Sequence, residues 1–122
     1  MEQTLFDRSG RAQAYIAEDG EGSIYTWDGH AVAYIDGENV FGWRGRHLGW
    51  FADGTVYDRS GRRVGFIREE SPVAPYAEAA KYAKYAKYAR SARQAAYARP
   101  ALGMGYSDID LLDFVKQDAV GS

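Results

Sequence analysis

Four stretches of this chain are copies of one another: TLFDRSGRAQAYI, SIYTWDGHAVAYI, NVFGWRGRHLGWF and TVYDRSGRRVGFI. Such repetition constrains the fold more than any single motif, because one copy is too small to bury its own apolar face and its neighbours must complete it. Each copy reads as a β-hairpin. Ser9-Gly10, Asp28-Gly29, Arg44-Gly45 and Ser60-Gly61 put Gly10, Gly29, Gly45 and Gly61 where a two-residue type I′ turn requires positive φ. The flanking runs are rich in Ile, Val, Tyr, Phe and Trp, and Asp19-Gly20, Asp36-Gly37 and Asp53-Gly54 return the chain between copies. Eight short antiparallel strands are expected within residues 1–70.

This reading sets Leu5 opposite Ala14, Ile24 opposite Ala33, Val40 opposite Gly49 and Val56 opposite Gly65. A small residue at the same place in every copy implies four hairpins closed round a pseudo-fourfold axis, crowded too tightly there for a larger side chain. Tyr15, Tyr34, Trp50 and Phe66 then pack between hairpins and supply much of the buried apolar area. Phe6, Tyr25, Phe41 and Tyr57 are equivalent positions that either join this packing or ring one end of the axis. Closure also removes the unpaired edges of an open meander.

The copies carry a resemblance. Ala33-Tyr34-Ile35, the run Arg46-His47-Leu48-Gly49-Trp50-Phe51 and the Trp27-Asp28-Gly29 turn make residues 4–68 similar to the bacterial four-fold β-flower family, in which four hairpin petals surround a central axis. The resemblance implies a mainly β fold and no activity. Relatives tend to carry a basic triplet tail, often with proline in the triplets, and a short acidic, hydrophobic C-terminus. This chain fills most of those proline places with Tyr, Ser, Gln or Ala.

Charge marks where the repeats end. Residues 1–70 hold eight arginines and twelve carboxylates, residues 71–99 hold six basic residues against Glu78 alone, and residues 100–122 hold one against four. With Pro72 and Pro75 at the first shift, we expect a hairpin domain (1–70), a basic arm (71–101) and an acidic, hydrophobic tail (102–122). No apolar run is long enough for a membrane span, the N-terminus lacks a leader pattern, and cytoplasm is the expected compartment.

The arm poses a conflict between composition and period. Ten alanines between Tyr76 and Arg99, with no internal proline, favour an α-helix from Pro75 to Pro100. Yet alanine holds one triplet phase from Ala74 to Ala101, and an α-helix would wind that stripe round itself, whereas polyproline II or an extended arm gives Ala, Tyr and Lys one face each. In either conformation Lys81, Lys84, Lys87, Arg90 and Arg93 are interleaved with Tyr82, Tyr85 and Tyr88. Such a surface can face water or dock on the acidic hairpin domain of the same chain, or it suits a protein partner, another copy of the chain, or a polyanion such as nucleic acid. In SDIDLLDFV, Ser107 is placed to cap a helix and Ile109, Leu112 and Val115 to form its docking stripe.

Catalytic and metal chemistry finds little support. The chain has no cysteine and two histidines, His30 and His47, expected to pack rather than ligate, with His30 set across from Trp27 and Arg46 across from Trp43. The DRSGR tips of the first and fourth copies read as solvated, salt-bridged turns. No phosphate loop, nucleophile grouping, cofactor motif or small-molecule site is recognisable. The expectation is a non-enzymatic interaction or scaffold module, with nucleic-acid binding through the arm as the alternative.

Overall fold

The computed structural model describes residues 2–121, and its hairpins close into an eight-stranded antiparallel barrel in which every strand pairs with its sequence neighbours and the first with the last. The strands are β1 (Gln3–Phe6), β2 (Ala12–Ile16), β3 (Ser23–Thr26), β4 (Ala31–Asp36), β5 (Asn39–Gly42), β6 (His47–Ala52), β7 (Thr55–Asp58) and β8 (Arg63–Phe66). A 3-10 turn follows at Arg68–Glu70, and one short helix, α1 (Leu111–Lys116), lies near the C-terminus.

All four expected facing pairs are present: Leu5 with Ala14, Ile24 with Ala33, Val40 with Gly49 and Val56 with Gly65. The turns that set them differ from expectation. In the first petal Gly10 N–H closes onto Asp7 O and Asp7 N–H onto Arg11 O, with glycine alone at positive φ, so the tip is the three-residue form ending in a glycine bulge. The other three tips repeat it. A second bulge in each hairpin, at Gln13, Val32, Leu48 and Val64, restores the register that a two-residue turn would have produced. The type I′ geometry occurs between petals instead, at Asp53-Gly54, where both residues have positive φ.

The core runs along the axis. Leu5, Ile24, Val40 and Val56 are fully buried, joined by Ala14, Ala33 and the bulge residues Val32, Leu48 and Val64. The crowding at the small positions has a more specific cause than the axis itself. A side chain at Gly49 would strike the Tyr57 carbonyl of the adjacent strand, and one at Gly65 would strike Leu111 of α1. Phe6, Tyr25 and Phe41 do not ring the axis. They are buried in the clefts between petals, where Tyr15 stacks on Tyr25 at 5.5 Å and Tyr34 on Phe41 at 5.7 Å.

Helix α1 plugs one end of this core. Its cap is Asp110, whose Oδ2 accepts from Leu112 N–H at 3.1 Å, and not Ser107, which is buried and donates to Asp58 Oδ2 at 2.6 Å. The helix therefore starts later than the capping pattern suggested, and its buried face is Leu111, Phe114 and Val115 rather than Ile109, Leu112 and Val115. Ile109 is exposed and Leu112 half-buried.

One consequence of the plug is a carboxylate supplied from elsewhere in the chain. In the first and fourth petals Asp7 and Asp58 each accept from the backbone N–H four residues on, Arg11 and Arg62, both at 3.0 Å. The third petal has Gly42 at that place, and Asp118 reaches in from beyond α1 so that its Oδ2 accepts from Arg46 N–H at 2.9 Å. A side chain on Gly42 would occupy the space of Asp118. We expect Asp118→Gly to destabilise the fold by about 1–3 kcal/mol through the orphaned amide, and Gly42→Asp to be damaging alone. Combined, the two should recover part of the lost stability, measured by urea unfolding of the four chains of the cycle.

Candidate interaction surface

The conformation of residues 71–106 decides what this surface can be, and it contains no helix. The helix favoured by alanine content does not form: the arm is laid extended across the petal tips, and backbone N–H groups spaced along it donate to the barrel. Tyr76 N–H donates to Gly10 O at 2.9 Å, Tyr85 to Gly29 O at 2.9 Å, Gln94 to Gly45 O at 2.7 Å and Gly103 to Gly61 O at 3.0 Å. Each donor is the ninth residue after the last, so three alanine triplets span one petal. At about 3.1 Å per residue, nine extended residues cover about 28 Å. The same interval recurs in two further contacts, from Tyr82 N–H to Trp27 O and from Ser91 N–H to Trp43 O, both at 3.1 Å.

The tip glycines serve this contact. A methyl group on Gly10, Gly29, Gly45 or Gly61 would meet the carbonyl oxygen of Ala74, Ala83, Ala92 or Ala101, again one alanine in every ninth position, at 3.0 Å or less. Glycine is thus required twice, for positive φ and for close backbone approach.

Between tips, the arm fills the clefts. Lys81 lies over the rings of Tyr15 and Trp27 at 4.6 and 5.4 Å, and nine residues later Arg90 lies over Tyr34 and Trp43 at 4.1 and 5.6 Å. Each tryptophan also fastens the arm backbone, Trp27 Nε1 donating to Ala79 O at 3.1 Å and Trp43 Nε1 to Tyr88 O at 2.8 Å. The cations over these indoles therefore come from the arm, not from His30 or Arg46 across the turn. His30 stacks on Tyr85 at 4.4 Å. In the other two clefts ring and cation change sides: Arg59 lies over Tyr97 at 4.7 Å and Arg8 over Tyr106 at 4.8 Å. Tyr106 returns the arm to the first petal, completing a circuit.

The acidic side of the barrel neutralises the arm. Lys81 and Lys84 pair with Glu2, Lys87 with Asp19 and Glu21, Arg90 with Glu21, Arg93 with Asp36 and Arg99 with Glu38. Glu78, the arm's single acid, bridges the barrel seam by accepting from Thr4 Oγ1 at 2.7 Å and Arg68 Nη2 at 2.9 Å. That seam needs a clasp, since among the described residues β1 and β8 share one residue pair, Phe6 with Phe66. The tyrosines are turned outward. Tyr82 and Tyr88 are 70% and 64% exposed, and Tyr85, with one face on His30, is 60% exposed, so the arm presents a row of rings to solvent while its cations face the barrel.

The DRSGR aspartates also differ from the expected wet ion pairs. Asp7 and Asp58 are nearly buried, and their Oδ1 atoms accept from the turn's own Ser9 and Ser60 hydroxyls at 2.7 Å. Burial pushes both carboxyls up, but hydrogen bonds from Gln13 and Ser9 to Asp7, and from Ser107 and Ser60 to Asp58, together with backbone N–H groups, outweigh it and hold them below the ordinary 3.8. Among the described residues no group of three His, Asp or Glu side chains could hold a metal ion, and no helix is long and apolar enough to cross a membrane.

A sequence model of the family described as 4-fold beta flower protein matches residues 3–115, covering the barrel, the arm and most of α1. The chain belongs to the four-fold β-flower family. No curated protein and no solved structure matches it significantly. The family match carries the fold, and the β-flower's arm lies inside it.

His47 was expected to be packing, and sequence reasoning missed its link to the arm. It is 1% exposed, its Nδ1 accepts from Tyr97 N–H at 3.1 Å, and its Nε2 lies 3.2 Å from Asn39 Oδ1. The imidazole is therefore neutral, with its proton on Nε2 directed to Asn39. Phe41, Trp50 and Tyr97 surround the ring. Burial, and then the Arg59 guanidinium, hold its pKa below the ordinary 6.5. A depressed histidine pKa contributes stability that is present above 6.5 and lost as pH falls through the lower folded value. Protection of the Tyr97 amide should therefore fall on acidification before that of Tyr85 and Gln94, whose acceptors are backbone carbonyls, as hydrogen exchange would show. Asp7 and Asp58 lose their contribution only below 3.8, a separate window.

Gly45→Ala should lower the melting temperature and release the Gln94 amide to fast exchange. Gly37→Ala, also at positive φ but with open space around it, should carry only a backbone penalty of about 1 kcal/mol.

Proposed function

We propose that this β-flower is a non-catalytic protein-interaction module whose barrel holds the arm extended so that its outer, tyrosine-bearing face meets a partner. The carrying observation is the division of labour along the arm: its cations are paired with the flower's own carboxylates while Tyr82 and Tyr88 stand in solvent and Tyr85 shows solvent its outer face. Rigidly held tyrosines suit protein recognition, because a large amphipathic ring has few rotamers to lose on binding. Nucleic-acid binding through the same arm would require the cations to leave Glu2, Asp19, Glu21, Asp36 and Glu38. That speaks for the protein partner over the polyanion.

The test is a comparison of the wild-type chain with Tyr82→Ser/Tyr88→Ser, which leaves the His30–Tyr85 stack and every backbone fastening in place. The wild type should retain specific proteins from cell extract at physiological ionic strength after nuclease treatment, and the variant should lose them with its melting temperature unchanged. Retention by the variant would overturn the reading. So would submicromolar binding of single-stranded DNA with a steep salt slope, which would establish the polyanion instead.

A further inference from the structure

The surface beneath the arm has a specificity of its own. Its recognition elements are the four tip carbonyls, which demand an N–H in every ninth residue, and the tip glycines, which demand close passage of an extended backbone. Between them lie aromatic clefts rimmed by carboxylates, which demand cations. None of these requirements depends on the ligand being the chain's own continuation. Contacts are made by backbone groups at fixed intervals and by charge, and the arm contributes no helix or strand of its own between residues 71 and 105. Pro100 shows that the fastenings between tips are dispensable one at a time: it stands one interval after Ser91 and two after Tyr82, whose N–H groups donate to Trp43 and Trp27, and the track tolerates the missing donor.

We propose that the ring of petal tips is a binding track for an extended, basic, triplet-repeat peptide, and that it accepts the arm of a second copy of this chain in place of its own. The track's carboxylates and the arm's cations are complementary whichever molecule supplies each, so exchange keeps the same contacts. The chain's own arm wins at low protein concentration because it is tethered a few residues from the first tip. It yields when its contacts are weakened or the concentration rises. This differs from the tyrosine-face reading: here the partner takes the arm's place on the flower rather than binding the arm's outer face.

The experiment uses the full chain carrying Lys87→Glu and Arg93→Glu, which place repulsive charges opposite Asp19, Glu21 and Asp36 without altering the track. A fluorescent synthetic peptide of residues 73–106 should bind this variant at least tenfold tighter than it binds the wild type, and salt should weaken the complex. A peptide with one alanine inserted after Ala89 keeps the charge but breaks the nine-residue interval, and it should lose at least tenfold. Equal affinity for both peptides would reduce the site to bulk electrostatics and overturn the proposal. So would absence of binding to a variant whose strand amides remain protected. Should the variant not fold, two single-cysteine chains, Thr4→Cys and Glu78→Cys, report exchange directly, because Thr4 Oγ1 and Glu78 Oε1 lie 2.7 Å apart and the native chain has no cysteine. Mixed at high concentration under mild oxidation, they should form the mixed disulfide beyond its statistical share. A statistical distribution would overturn arm exchange. Neither outcome depends on Tyr82 or Tyr88, so either proposal can fail alone.

Discussion

The structure depends on four backbone carbonyls. The bulged tip turn points the C=O of Gly10, Gly29, Gly45 and Gly61 away from the barrel, where no strand can pair with it, and each takes an N–H from the arm. Helical folding of the arm would satisfy the same donors within itself, so the two arrangements compete for one set of hydrogen bonds. The extended arrangement also gains cation–ring contacts in the clefts and ion pairs at their rims. Such pairs are individually weak when exposed, but here they are held in place by fastenings at both ends of each span. A solvated helix would forgo them.

This competition explains what could be read from the sequence and what could not. The register of Leu5 with Ala14 and of Val56 with Gly65 was legible because apolar alternation and a fixed small position leave one solution. The turn type was not, since a glycine at the tip suits both the two-residue and the bulged turn, and the second bulge at Gln13, Val32, Leu48 and Val64 conceals the difference. Helix propensity for residues 76–99 is a local property, and a tertiary acceptor array overrode it. The alanine triplet phase was the better signal. Divided among four tip glycines, it yields the nine-residue interval. Gly42 offered a similar clue, as the one copy with neither Asp nor Thr before its tip, in the petal that Asp118 completes.

The charge segregation acquires a physical meaning in this arrangement. A basic segment following an acidic domain invites a reading in terms of anionic partners, and its composition alone supports that. Here the imbalance is resolved within the molecule, leaving as the outward feature of the arm a set of aromatic rings spaced by backbone geometry. His47 ties the wrap to a neutral imidazole, in a cleft whose next petal carries Arg59 where the two preceding ones carry Trp27 and Trp43.

A band of near-identical triplets carries a hazard of slippage. Shifting AKYAKYAKYAR by three residues returns alanine to alanine, lysine to lysine and tyrosine to tyrosine, so much of the arm is almost blind to its own register. Its ends are not. Glu78 fits only at the seam, Tyr97 alone meets His47, and Leu111 alone fits over Gly65. The repetitive middle is thus indexed by unique residues before and after it. During folding, the misthreaded wraps closest in energy to the native one are those displaced by whole triplets, and these singular contacts raise them above it.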